Sequence, residues 1–210
     1  MIISDWTGPT DKGWTINYRT GKSKAFYKKD YKKEVERIIS FECCHSFAQS
    51  FEALERLLKD LVIIKSRKND LIYNQIKTKL KKDFDRIDLP GGERIFDFVK
   101  MAAGKNVHTF SETNNRNIKF KEFWTILSQA RHGVTHSNCI IKENQLSKTK
   151  YHFAIFEYFF DHEVIDKDTI EIVLDYKKLD RLNKSIAEFG FQIFKAISIS
   201  DDLAWDILKR

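Results

Sequence analysis

Apolar residues recur at helical spacing over most of this chain. Between residues 31 and 66 no Gly or Pro interrupts the pattern, and Phe47, Phe51, Leu54, Leu58 and Leu61 alternate steps of four and three. That is the seam of one long helix, on the order of 50 Å, made to pack against an antiparallel helix or a dimer partner. Residues 70–84 repeat the signal with Leu71, Ile72, Ile76 and Leu80 on one side and lysines elsewhere. Pro90-Gly91-Gly92 breaks the chain, a short helix is expected over 93–103, and the polar stretch 106–117 reads as a loop, a candidate rim for a site on the helix that follows, where His108 could belong although loop histidines are usually incidental. From Lys119 onward Phe120, Phe123, Trp124, Leu127, Ala130 and Val134 define a further stripe, and Leu179, Leu182, Ile186, Phe189, Ile193 and Ile197 a last one over 178–198. A short segment at 202–208 caps the end.

Two regions leave this pattern. Residues 1–30 are punctuated by Gly8-Pro9, Gly13 and Gly21 around Trp6, Trp14, Tyr18, Phe26 and Tyr27, which predicts an irregular arm with room for short strands. Residues 151–160 are apolar almost throughout, and 169–176 alternate Ile170, Ile172 and Leu174 with Glu171 and Asp175, which predicts a β-hairpin at about 150–176 with an acidic connection. The fold expected is therefore mainly α: an antiparallel helical bundle, with an N-terminal arm (1–30), a single domain (31–210) and a small β-hairpin inserted before the last long helix. A chain of 210 residues, 42% hydrophobic and with two Pro, can bury the core this needs.

Composition narrows the setting. No stretch approaches the length of a membrane span and the first residues lack a basic head with an apolar run, so a cytoplasmic location away from membranes is expected. Cys43 and Cys44 are neighbours on the first helix and Cys139 is remote, which suggests reduced structural thiols rather than a disulfide framework. The net charge of +7 is unevenly spread. Residues 1–33 carry eight Lys/Arg against three Asp, residues 59–86 nine against four acids, and residues 157–175 seven acids against one Lys. An anionic partner such as RNA would favour the basic parts, the arm's aromatics stacking on bases; a solvated helix face, and rings packed on the arm's own protein, are the plainer alternatives. His45, beside the first helix's seam, reads as a structural histidine. The Gly91-Gly92 pair lacks the rest of a phosphate-binding loop, so no nucleotide fold follows from it.

The chemistry concentrates in Ala130-Arg131-His132-Gly133-Val134-Thr135-His136-Ser137-Asn138, at the end of a predicted helix. A guanidinium grips a phosphate with paired hydrogen bonds, and an imidazole moves protons near neutral pH. At roughly 100° per residue Arg131 lies within about 20° of Phe120, inside the apolar stripe, where a charge needs a partner. His132 and His136 sit about 40° apart on a flank, while Arg131 and His136 diverge by about 140° and converge only if the helix distorts near Gly133 or a second chain helps.

The run Arg131 to His136 resembles the signature of the HEPN domain family, an Arg, a polar residue, three to five further residues and a His. The order of helices is similar too: a long first helix, an antiparallel second, and a later helix ending in the signature, over roughly 31–140 with the last helix completing the bundle. That resemblance implies a metal-independent endoribonuclease, toxin or defence effector, working as a homodimer on RNA without a cofactor and sometimes regulated by a nucleotidyltransferase-like antitoxin. In that scheme Arg131 holds the scissile phosphate, His136 acts on the 2′-hydroxyl or leaving oxygen, and His132 orients substrate or shares the proton. Two rivals stand beside it. His132, His136 and Cys139 have spacings that suit zinc, although the Glu of a zinc-peptidase helix is missing. Alternatively the chain is a non-catalytic dimeric binding module in which Arg131 pairs with Glu42, Glu52 or Glu55.

Overall fold

A computed structural model describes the backbone of residues 3–10, 13–18, 23–146, 149–199 and 201, with side chains from Tyr27 onward. Three strands open the chain, β1 (Ile3–Thr10), β2 (Gly13–Tyr18) and β3 (Ser23–Phe26), paired antiparallel in sequence order. The arm is thus a small sheet in its backbone and not irregular. The stacking role expected of Trp6, Trp14, Tyr18 and Phe26 concerns side chains outside the described ones, as does the capping segment at 202–208. Tyr27 is exposed.

Helix α1 (Tyr31–Lys68) runs the expected length. Asn69 then turns the chain and caps α2 (Asp70–Leu80) by accepting from the backbone N–H of Leu71 and Ile72 at 3.0 and 3.2 Å. Helices α3 (Ile95–Ala103) and α4 (Asn106–Thr113) lead into α5 (Phe120–His136). Next come β4 (Ile140–Lys142), the short α6 (Glu143–Leu146), α7 (Lys150–Phe159), β5 (Asp161–Asp166), β6 (Thr169–Val173) and α8 (Tyr176–Ser198). The molecule is mainly helical, and its second antiparallel sheet has the order β4-β6-β5.

Three expectations need correction. Residues 106–113 form a helix, since Val107 is buried and Asn106 Nδ2 donates to the Ala196 carbonyl at 3.2 Å, docking a polar segment of low intrinsic propensity onto α8. The apolar run 151–160 is helix α7, capped by Thr149, whose hydroxyl accepts from His152 N–H at 3.2 Å; Ile155, Phe156 and Phe159 are its buried face. A wholly apolar run carries no period, so the helix and strand readings were equally open to it. The hairpin exists but occupies 161–173, with β4 added as a third strand.

The core is built where α1, α5 and α8 cross. Phe51 stacks on Trp124 at 4.6 Å, and Phe189 meets Phe120, Phe123 and Trp124 at 5.2, 5.5 and 6.2 Å. Gly190 lets α8 approach α1 closely, because a Cβ there would stand 3.0 Å from Leu54 Cδ1. Burying aromatic rings of this size gives each on the order of 2–3 kcal/mol, so this crossing sets the register of α5 against α1.

Candidate functional site at the end of helix α5

Both ends of α5 are tied down by distant residues. At its start Phe120 N–H donates to Ser111 Oγ and Lys119 N–H to the Tyr151 hydroxyl, each at 3.0 Å. At its end the Gly133 carbonyl accepts from Ser137 and Cys139 N–H at 3.0 and 3.1 Å, while Asn138 and Cys139 turn through φ of 53° and 68°. These left-handed residues send the chain into β4, and Ile172 N–H of β6 donates to the Cys139 carbonyl at 2.8 Å. A Cβ on Gly133 would lie 3.4 Å from both the Ile140 carbonyl and Ile141 Cβ, so glycine lets the small sheet rest on this last turn.

Arg131 is half-buried rather than sealed in the stripe. Its Nη2 donates to Glu52 Oε1 at 3.3 Å, with 29% of the arginine side chain and 44% of the glutamate exposed, and its Nε is buried with no hydrogen-bond partner. Of the candidate carboxylates, Glu52 is the one that meets it. Glu55 turns away to accept from Gly92 N–H at 2.7 Å and to pair with Lys59 at 3.2 Å. A single long contact at this exposure is worth under about 1 kcal/mol, so the guanidinium keeps most of its capacity for a forked anion.

His132 and His136 are exposed on the adjoining flank, their ring centres 4.9 Å apart. The helix stays regular through Gly133 to His136, with Thr135 Oγ1 donating to the Arg131 carbonyl at 2.9 Å. No distortion swings His136 toward Arg131, so the divergence of about 140° persists within one chain. Cys139 is buried on the inner side, and no cluster of three or more metal-ligating residues occurs among the described residues, so the three-ligand zinc set is not assembled. Its thiol is hydrogen-bonded to that of Cys44, which also donates to the Ile172 carbonyl at 3.9 Å; that thiol contact and burial push the Cys44 thiol far up, holding it protonated. All three cysteines are free.

Other sequence candidates fall elsewhere. His108 is exposed on α4, beside the start of α5 and roughly 24 Å from its end, so the 106–117 stretch does not rim the Arg131 site. His45 packs edge-on against Phe41 at 4.4 Å, as a structural histidine does. The basic stretch 59–86 carries its own counterions, with Arg67 to Asp85 at 3.1 Å, Lys77 to Asp83 at 2.6 Å and Lys79 to Asp97 at 3.2 Å, and further pairs of Lys82 with Asp88 and Arg86 with Asp60. Sequence reasoning missed a cavity of about 200 Å³ where α1 meets the turn after α5, lined by Arg37, Ser40, Asn138 and Glu171 among others. Asn138 and Cys139 are its lining residues at the motif, and the rest come from α1 and β6, far away in sequence, so nothing local signalled it. No helix is long and apolar enough to cross a membrane among the described residues. Comparison with protein-family models, with curated proteins and with solved structures finds no match to this chain.

Proposed function

We propose that this protein is a metal-independent endoribonuclease of HEPN type, cytoplasmic and active as a homodimer, that cleaves RNA at a site shared by two copies. The observation that carries the reading is the end of α5, where a partly exposed guanidinium, held by one 3.3 Å contact, shares the last turns of the helix with two exposed imidazoles. A phosphodiester offers Arg131 the two oxygens that Glu52 does not, and the charge gathering on those oxygens in the transition state strengthens the grip. His136 takes the 2′-hydroxyl proton or protonates the leaving oxygen, and His132 orients the substrate or shares that transfer. The products are a 2′,3′-cyclic phosphate and a 5′-hydroxyl. Because α5 is regular, Arg131 and His136 of one chain face different ways, and a two-fold axis that brings two α5 ends together supplies the convergence. The cavity beside Asn138 is large enough for a base flanking the cut. A toxin held in check by a nucleotidyltransferase-like antitoxin fits the same scheme.

The test is cleavage of a structured RNA in EDTA alongside a measurement of mass in solution. The proposal expects a dimer whose cleavage disappears in Arg131→Ala and in His136→Ala while dimerisation survives. A monomer, or cleavage indifferent to both substitutions, overturns it. The ion pair with Glu52 favours a second reading, a non-catalytic dimeric module in which Arg131 ties α5 to α1. That reading expects no turnover at all, and loss of stability in Arg131→Ala.

A further inference from the structure

His132 and His136 have the spacing of a chelating pair, independently of any ribonuclease chemistry. They are four residues apart on an unbroken helix, both exposed, with ring centres 4.9 Å apart. For metal–nitrogen bonds of about 2.0–2.1 Å, two imidazoles bound to one ion at roughly 90–110° hold their ring centres about 4.5–5.2 Å apart. The observed separation falls inside that window. Imidazole nitrogen is a borderline base that Zn²⁺, Ni²⁺ and Cu²⁺ accept readily and that Mg²⁺ and Ca²⁺ do not.

Other described histidines differ in kind. His152 Nδ1 is engaged with Thr149 Oγ1 at 2.7 Å, and His162 packs on the rings of Phe153 and Phe156 at 5.7 and 5.9 Å. No other two imidazoles make ring contact among the described residues. The helix has already gathered His132 and His136, so the second ligand binds with little additional loss of freedom.

We infer that His132 and His136 form a two-imidazole site for a borderline transition-metal dication, the class of Zn²⁺ and Cu²⁺, with the other coordination positions left to water. Each ring donates one nitrogen lone pair and nothing is oxidised or reduced. A consequence rests on the ribonuclease reading: the lone pairs that accept a proton during cleavage are the ones the ion occupies, so the metal is an inhibitor there and not a cofactor.

Titration calorimetry of zinc chloride into the untagged full-length protein tests the site, with circular dichroism checking that each variant keeps its helices. One Zn²⁺ per chain is expected, with a dissociation constant on the order of 1–100 µM. Binding should weaken tenfold or more in His132→Ala and in His136→Ala, and change less than threefold in Arg131→Ala. Undiminished binding in either histidine variant, or no binding by the wild-type protein below about 1 mM, overturns the site. A parallel RNA assay separates the two readings. Cleavage that proceeds in EDTA, stops in saturating Zn²⁺ and returns on chelation supports inhibition, while cleavage indifferent to saturating Zn²⁺ overturns it. Histidine-dependent Zn²⁺ binding without any cleavage leaves the chelate standing and sinks the nuclease; EDTA-resistant cleavage without Zn²⁺ binding does the reverse.

Discussion

The basic stretch 59–86 and the end of α5 are both cationic in sequence, yet the fold treats them in opposite ways. The stretch holds nine Lys/Arg, and eight of them sit on carboxylates contributed by α1, α3, the segment after α2 and Asp201. The end of α5 has one Arg with a single long contact, and two exposed imidazoles with ring centres 4.9 Å apart. A dense charge run tells little about a ligand once its counterions are folded in beside it. A sparse set with unspent hydrogen-bonding capacity tells more.

The largest expected effect separates the regions by activity. Arg131→Ala should reduce RNA cleavage by on the order of 10²–10⁴, the scale lost with a phosphate grip or a proton-transfer group, whereas the double substitution Lys77→Ala, Lys82→Ala should stay within about twofold. The salt dependence of RNA affinity sharpens this. One or two phosphate contacts give a log–log slope of about −0.7 to −1.4 on single strands, and a slope steeper than about −4 would move the RNA onto the lysine-rich face.

The next effect is on stability. Gly133→Val places branched carbons against the Ile140 carbonyl and Ile141, which should cost about 1–3 kcal/mol in denaturant unfolding, while Gly133→Ala, whose methyl just fits, recovers helix propensity and stays within about 1 kcal/mol of wild type. Equal stability of the two variants would mean that the small sheet does not rest on this turn. The smallest effect belongs to the paired stretch. Hydrogen bonds from Lys77 and Tyr73 hold the Asp83 carboxyl below its ordinary value. Its stabilisation is therefore complete above the unfolded value of about 3.9 and fades as the pH falls through the lower folded value. Asp83→Asn should flatten that acid limb of the stability curve slightly and leave neutral pH almost unchanged; an unaltered acid limb would dissolve the pair.

Much of this architecture was legible because burial and the helical period coincide. The apolar stripes of α1, α5 and α8 all face the Phe51, Trp124 and Phe189 crossing. Helix α4 was hidden because its Asn, Thr, His and Ser are poor helix formers, and only docking on α8 reveals why it forms. Helix α7 was hidden by an apolar run without alternation, and β4 is too short at three residues to show a period. At the site, helical arithmetic located His132 beside His136 and set Arg131 apart from them. Which glutamate would face Arg131 was beyond it, since that depends on the register of α5 on α1, which the aromatic crossing decides. Whether two such ends meet is a property of a surface, and a surface leaves no period in a sequence.

The hydrogen bond from Ile172 to the carbonyl after the α5 turn bears on the order in which the molecule is completed. A chain emerging from the ribosome presents Arg131 and both imidazoles well before the strand that braces them has been synthesised. The brace on the turn after α5 is therefore set only once β6 has been released, so the segment that carries these three side chains spends part of its synthesis held by its own helical hydrogen bonds alone.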